Sequence, residues 1–570
     1  MSIHARSSER LVPTPGEGAT LGRYLFDCLR REGITEIFGV PGDYNFTLLD
    51  TLEQYGGITF VNGRNELNAG YAADGYARVK GLAALITTFG VGEMSAAGAI
   101  AGSCSESVPV IHVVGSPKSS AQQEHRLMHH SLLDGDFGVF LRVHEGLTAY
   151  TAVLTPDNAA AEIPKAIRIA KEGQKPVYLV VAIDLVEQPV VQREEELQEE
   201  NQTNRSSLEA AAAHALRLLE EAGSAAILTD LPVLRYGLQE EVQRLAEALN
   251  APAASMMLGK GGFDERHPNY IGIYGGLFGS DEVREIVEGA GIRIAAGLVR
   301  SDGNTANFTA PLDAGRLIDI QPHEVRIGEE VYAGVPAAEM LRTLRESGWK
   351  CPEKRPAAPF PYAEASGGPD EPLRSEAYYP RFERMLEEGD IVVAETGTLG
   401  YGMAEVRLPK GATYIHQGGW QSIGYATPAA FGAAVAAPER RVLLFTGDGS
   451  LQLTVQEVSS MLAYGCRPIL FVLNNGGYTV EKYLNVKTQD QKYNEIPRWS
   501  YTKLAEAFGG EAYTAEVRTI GELDAAIEEA QVQCAERLCV IELIAADPMD
   551  APAFLRKKRA YLKQQARQQK

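Results

Sequence analysis

Gly447-Asp448-Gly449-Ser450 ends an apolar run, Arg441 to Thr446, and Asn475 follows Asp448 by 27 positions, within Asn474-Asn475-Gly476-Gly477 at the end of a second apolar run. Glycines at a strand end let backbone N–H groups approach a diphosphate. A carboxylate and an amide oxygen are hard ligands for an octahedral magnesium ion that also grips the phosphates. Either element alone reads equally as a turn between a strand and a helix. Together, in this order and between these runs, they point to a phosphate and cation site.

A second stretch, Asn65-Glu66-Leu67-Asn68-Ala69, leads into the small-residue run Gly70 to Arg78. A glutamate opening a helix is favoured by the helix dipole whatever its function, and it can equally be a proton-exchanging carboxyl group. Two further stretches hold ionisable residues. Phe38-Gly39-Val40-Pro41-Gly42-Asp43-Tyr44-Asn45 contains Asp43, and Leu127 to Phe137 contains the adjacent pair His129-His130. Consecutive histidines are poor zinc ligands without others nearby. Glu481, in Gly477-Tyr478-Thr479-Val480-Glu481-Lys482, reads on spacing alone as an ordinary helix carboxylate.

These four stretches together resemble the pyruvate and indolepyruvate decarboxylase family of thiamine-diphosphate enzymes, from about Thr20 to Asp550-Ala551-Pro552. The resemblance implies thiamine diphosphate and Mg2+ as cofactors. It gives Glu66 the role of activating the cofactor, and Asp43, His129, His130 and Glu481 the handling of protons around the substrate carboxylate and the enamine carbon. Asp448, Asn475 and the Gly477 carbonyl would hold magnesium. Thr398, Gly449 and Ser450 would contact the diphosphate. Gln421, Ser422, Ile423 and Tyr478 would complete the cofactor site, with Ile423 the wedge beneath the thiazolium. The implied reaction is non-oxidative loss of carbon dioxide from a 2-oxo acid with release of the aldehyde.

Three departures from the family pattern matter. Gln421 stands where relatives often have glycine, but the role there is a backbone carbonyl. Gly476 replaces a residue that is commonly acidic or polar. Asp230-Leu231-Pro232-Val233 occupies the stretch where some members carry a regulatory cysteine, so thiol-mediated activation is not expected. Val480 and Gly400 are smaller than their common counterparts, so an enlarged acyl pocket is expected, leaning to aromatic or branched 2-oxo acids with pyruvate still possible. Two alternatives stand beside this reading. One is a thiamine-diphosphate carboligase or acetohydroxyacid synthase, and the other a non-catalytic binding protein on the same fold.

The elements that must position these residues follow from pattern and length. A chain of 570 residues exceeds the size of a single core. Short apolar runs alternate with amphipathic stretches throughout, which predicts α/β domains with mostly parallel sheets. Strands are expected at Ala83 to Thr88, Val110 to Val114, Pro176 to Val181, Ala225 to Thr229, Ile292 to Ala296, Asp390 to Ala394, Pro468 to Leu473 and Leu538 to Ile544. Charged and proline-rich breaks suggest a mobile tail (1–19), a pyrimidine-binding domain (20–187), a linker (188–207), a central domain (208–350), a linker (351–372), a diphosphate-binding domain (373–555) and a C-terminal tail (556–570).

A net charge of −21 argues against a nucleic-acid partner. The basic run Arg556-Lys557-Lys558-Arg559 reads as a solvated helix face. No apolar run is long enough for a membrane span. Six scattered cysteines without metal-ligand spacing fit reduced thiols in a cytoplasm. Because Glu66 and the Asp448 motif fall in different domains, the resemblance implies a homo-oligomer, a dimer or dimer of dimers, with a small-molecule substrate as the other partner.

Overall fold

The computed structural model describes residues 18–191, 203–352, 356, 358–362, 364–488 and 491–568. Most of the tail expected over 1–19 and the middle of the linker expected over 188–207 lie outside these residues. Two compact units make up the chain, residues 1–200 and 201–570.

In the first unit, six parallel strands form one sheet: β1 Glu36–Gly39, β2 Thr59–Asn62, β3 Ala83–Thr88, β4 Val110–Ser116, β5 Tyr150–Leu154 and β6 Val177–Ala182, in the order β2-β1-β3-β4-β6-β5. The central strands β3, β4 and β6 are buried along their whole length. This is why they read in the sequence as unbroken apolar runs. The first helix, Leu21–Arg31, starts at a Thr20 cap and buries Leu21, Tyr24, Leu25 and Cys28 against the core.

The second unit carries two sheets. Strands β7 Ala225–Thr229, β8 Ala253–Ser255, β9 Tyr270–Ile273, β10 Ile292–Ala296, β11 Leu317–Gln321, β12 Glu324–Ile327 and β13 Glu330–Ala333 run in the order β13-β12-β11-β10-β7-β8-β9, antiparallel only at the β11-β12-β13 end. Strands β14 Ile391–Ala394, β15 Thr413–Ile415, β16 Val442–Gly447, β17 Ile469–Asn474, β18 Ala512–Val517 and β19 Leu538–Ile544 are all parallel, in the order β15-β14-β16-β17-β19-β18. That order repeats the first sheet strand for strand.

The proline-rich break at 351–372 lies within the second compact unit, and the blocks on either side of it meet through the hydrogen bonds of a buried ion pair. Lys260 Nζ lies 2.8 Å from Glu265 Oε2 and donates to the Val406 carbonyl at 2.7 Å, while Leu408 N–H donates to the same Glu265 oxygen at 2.8 Å. One expectation needs correction: the stretch read as a tail from residue 556 is helical as far as Gln568, in a helix that spans Ala553–Gln568. Its basic run is largely engaged rather than solvated. Arg556 pairs with Glu376 at 2.9 Å, Lys557 donates to the Gly279 carbonyl at 2.7 Å, and the Arg559 guanidinium lies 4.7 Å from the Tyr483 ring centre.

Candidate active site

In both six-stranded sheets most of the residues singled out from the sequence stand in the loops and helix starts that follow the carboxyl ends of strands at and near the point where the strand order reverses; His129 and His130 lie further on, beyond the helix Ser119–Gln123 that follows β4. Open parallel sheets form their ligand crevices at that reversal. Asp43 follows β1 and Glu66 follows β2, whereas Thr398 follows β14, Gln421 to Ile423 follow β15, Asp448 follows β16 and Asn475 to Glu481 follow β17.

The first unit builds a small acid–base cluster. His129 Nε2 donates to Asp43 Oδ2 at 2.6 Å, and His130 Nε2 lies 3.5 Å from Asp43 Oδ1. The Tyr44 ring stacks on His129 with centres 4.8 Å apart, and its hydroxyl lies 3.1 Å from His129 Nδ1. The Asp43 turn is fixed from behind, with Gly42 N–H donating to Asn45 Oδ1 at 2.9 Å and Asn45 Nδ2 to the Val40 carbonyl at 3.1 Å.

Glu66 is the first residue of the helix Glu66–Lys80, capped by Asn65, whose side chain accepts from Asn68 N–H at 2.8 Å. The helix is buried from Asn68 to Ala77, which explains its small residues; a Cβ added at Gly70 would come within 2.6 Å of Ala99 Cβ. Glu66 and His130 share one support, the turn Phe89 to Gly92. A Cβ at Gly92 would lie 3.3 Å from Glu66 Oε1, and one at Gly90 would lie 1.7 Å from the His130 carbonyl oxygen. Gly90 has φ +65°, so both its conformation and its surroundings require glycine. Glu93, which the sequence reading passed over, anchors this turn: Oε1 accepts from Gly90 N–H at 2.6 Å, and Oε2 accepts from the Tyr178 hydroxyl. Burial pushes the Glu93 carboxyl up to about 7.

In the second unit a cavity of about 460 Å³ gathers Thr398, Gly400, Gln421, Ile423, Asp448, Gly449, Ser450, Asn475, Gly477, Tyr478, Val480 and Glu481. Ser422 stands between two lining residues, its N–H donating to Gln417 Oε1 at 2.9 Å. Asp448 Oδ1 accepts from Gly449 N–H and Oδ2 from Gly476 N–H, both at 2.8 Å. Burial raises its carboxyl to about 6 against these bonds. Beside it, Asn475 Oδ1 is buried and has no hydrogen-bond partner among the described residues. A buried acceptor left without a donor is costly unless something else satisfies it. An oxygen-binding divalent cation would do so, and the donor set of carboxylate, amide oxygen and backbone carbonyl fits one such as magnesium. The backbone is also tight here, as a Cβ at Gly449 would lie 2.6 Å from the Tyr478 ring and one at Gly477 2.4 Å from the Asn494 carbonyl oxygen.

Gln421 adopts φ +57°, the left-handed region that glycine tolerates best. The side-chain amide compensates locally by donating to the Gly418 carbonyl at 2.7 Å. Gly400 departs from expectation. A Cβ there would meet the Glu395 carbonyl oxygen at 2.4 Å and His416 Cε1 at 3.1 Å. Glycine is therefore set by backbone approach, not by the need for a wider pocket. Gly400→Ala should lower thermal stability and cofactor affinity together, with no selective change among substrates. A pure shift in substrate preference at unchanged melting temperature would contradict this.

Among the groups lining the cavity that the sequence leaves without a role are Glu395 and Lys558. Glu395 is buried, accepts from Thr396 N–H at 3.0 Å and Ala426 N–H at 3.3 Å, and is pushed up to about 8 by burial. The folded chain thus keeps a proton that the unfolded chain loses above about pH 4.5. Its contribution to stability is present in acid and is lost as pH rises from there through about 8. Glu395→Gln, neutral throughout, should show a flatter fall in melting temperature between about pH 5 and pH 8 than the wild type. Equal slopes would sink the assignment.

Residues 19–135 match the N-terminal, 212–345 the central and 395–543 the C-terminal domain of thiamine pyrophosphate enzymes. The chain is 40% identical over 539 residues to an alpha-keto-acid decarboxylase of Mycolicibacterium paratuberculosis, covering 92% of this chain and 93% of that one. It is 40% identical over 531 residues to an alpha-keto-acid decarboxylase of Mycobacterium tuberculosis, covering 92% and 94%. A pyruvate decarboxylase of Kluyveromyces marxianus is 38% identical over 556 residues, covering 94% and 97%. With all three domains matched and such relatives along nearly its whole length, the chain belongs to the thiamine-diphosphate-dependent 2-oxo acid decarboxylase family.

Proposed function

We propose that this decarboxylase uses Asp448, Asn475 and the Gly477 carbonyl to hold Mg2+ and the cofactor diphosphate, with Glu66 as the cofactor's acid–base partner. The observation that carries the reading is the buried, unsatisfied Asn475 Oδ1 beside the buried Asp448 carboxylate. Thiamine diphosphate, when bound, supplies the nucleophile and the electron sink for loss of carbon dioxide. The chain supplies the rest. Thr398, Gly449, Ser450 and Tyr478 would position the cofactor with Gln421 and Ser422, and Ile423 would support it from below. Ile423 and Val480 give the cavity wall an apolar character that favours departure of a carboxylate as neutral carbon dioxide.

Asp43, hydrogen-bonded to His129 and with His130 Nε2 3.5 Å from its other oxygen, would form a group able to deliver a proton to the product carbon and take one away, with Glu481 as a further proton carrier. The proposed substrates remain aromatic or branched 2-oxo acids, indolepyruvate and phenylpyruvate included, with pyruvate accepted. Val480 now carries that preference without Gly400. One methylene in a pocket is worth about 1–3 kcal/mol of discrimination, which biases the choice without excluding a smaller acid. We also propose a homodimer or dimer of dimers, supported by the placement of Glu66 and Asp448 in different units, and a cytoplasmic location, supported by six cysteines that form no disulfide. Among the described residues no helix is long and apolar enough to cross a membrane.

The test is aldehyde release by the purified protein, with thiamine diphosphate and Mg2+, from pyruvate, 2-oxoisovalerate, phenylpyruvate and indolepyruvate side by side. Faster turnover of the larger acids is expected. Preference for pyruvate would overturn the pocket argument, and acyloin in place of aldehyde would favour a carboligase.

A further inference from the structure

The helix Ala553–Gln568 turns one face toward the second unit's core, and that face is interrupted by a charge. Phe554 and Tyr561 both pack edge-on against Phe278, with ring centres 5.7 and 5.5 Å apart, and Phe554 stacks on Tyr401 at 5.2 Å. Lys558, four residues after Phe554 and three before Tyr561, falls on the same stripe, where helical spacing calls for an apolar side chain. It lines the cavity that holds Asp448 and Val480, and its Nζ lies 5.9 Å from the Tyr401 ring centre. Of the other three members of the basic run, Arg556 and Lys557 have carboxylate or carbonyl partners, and Arg559 lies over the Tyr483 ring. Among the described residues, no carboxylate lies within ion-pair distance of Lys558, and it is the only lysine or arginine lining the cavity.

We propose that Lys558 binds a second carboxylate at the far end of the substrate, so that the enzyme decarboxylates dicarboxylic 2-oxo acids as well as neutral ones. This rests on the decarboxylase reading of the same cavity. The carboxylate that leaves loses its charge on becoming carbon dioxide, and a cation held against it would oppose that step. A lysine set among Tyr401, Phe278 and Phe554 is better matched to a carboxylate that persists in the product. In the reaction the C1–C2 bond breaks, carbon dioxide departs, C2 takes up one proton, and the distal carboxylate remains in the aldehyde product. Asp302 and Glu481 also line this cavity, so an incoming dianion needs a cation of its own. Burial lowers the Lys558 pKa and Asp302 opposes that shift, consistent with an ammonium that is stabilised further by an arriving anion.

The experiment is steady-state kinetics of the holoenzyme with 2-oxoglutarate and 2-oxoadipate against their neutral counterparts 2-oxo-5-methylhexanoate and 2-oxoheptanoate. Wild-type kcat/KM should favour each dicarboxylic acid over its counterpart. Lys558→Met should lower kcat/KM for the dicarboxylic acids by about 10- to 100-fold, mainly through KM, and raise it for the neutral acids. Lys558→Arg should retain the dicarboxylic preference. As a measurement that needs no variant, glutarate should inhibit wild-type turnover of 2-oxoheptanoate competitively and more strongly than hexanoate does. If the wild type turns over only the neutral acids, the inference fails while the decarboxylase reading stands. If Lys558→Met slows all four equally, Lys558 serves a group common to every substrate and the inference is overturned. If no 2-oxo acid gives aldehyde, both fall.

Discussion

Glu66→Gln is expected to lower aldehyde release by about 10²- to 10⁴-fold while leaving the protein folded and the cofactor bound. The substitution keeps shape and hydrogen-bonding capacity at the first position of the helix Glu66–Lys80 and removes the exchangeable proton. The Asn65 cap, the buried face from Asn68 to Ala77 and the contact with Gly92 are all compatible with an amide. The change therefore isolates proton transfer from structure. Cofactor titration by intrinsic fluorescence should give an affinity within a few-fold of wild type, and the loss should appear in kcat. Full activity in this variant would remove Glu66 from the chemistry. Loss of cofactor binding with unchanged kcat at saturation would make it a binding residue instead.

Asn475→Ala and Asp448→Ala should differ in an informative way. Both remove an oxygen proposed to hold Mg2+, and each should weaken thiamine diphosphate binding by more than about 10-fold, as loss of a metal ligand does. Asp448→Ala also deprives the N–H groups of Gly449 and Gly476 of their acceptor, so the apoprotein should melt at a lower temperature. Asn475→Ala removes a buried acceptor that has no partner, so the apoprotein should be at least as stable as wild type while the cofactor-loaded protein is less stable. Calorimetry of both forms, with and without a chelator, measures this crossing. An apoprotein destabilised by Asn475→Ala would show that its Oδ1 has a structural partner, and the cation argument would lose its main support.

The frame and the phosphate motif were legible in the sequence because burial on both faces makes a central parallel strand an unbroken apolar run. The predicted Ala83 to Thr88, Ala225 to Thr229 and Leu538 to Ile544 match β3, β7 and β19 in full. Edge strands escaped for the converse reason. β2 and β18 mix exposed, partly buried and buried residues, and β15 is three residues long. Asp448 and Asn475, which the structure brings to one cavity, stood out because few side chains offer hard oxygens next to glycine. Glu93 and Glu395 did not, since their importance comes from burial beside a functional turn rather than from any local pattern. The inward face of the final helix was hidden by its own chemistry, as four basic residues in a row read as a solvated face until Phe554 and Tyr561 show which side faces inward.

The all-parallel pairing of the two six-stranded sheets also bears on how the chain reaches its native state. Every neighbouring pair in them needs a crossover connection, so neither sheet can start from a hairpin. Order must arise through contacts between distant residues, and these form slowly. Among the described residues the β11-β12-β13 meander, spanning Leu317 to Ala333, is where adjacent strands pair by local reversal. Protection from hydrogen exchange during refolding should therefore appear first in that meander and later in β3 and β16, whose carboxyl ends adjoin the proposed catalytic groups. On that expectation the proposed catalytic groups are mounted on the parts of the chain that assemble last, and refolding yield should depend on keeping their apolar strands from associating between molecules in the interval.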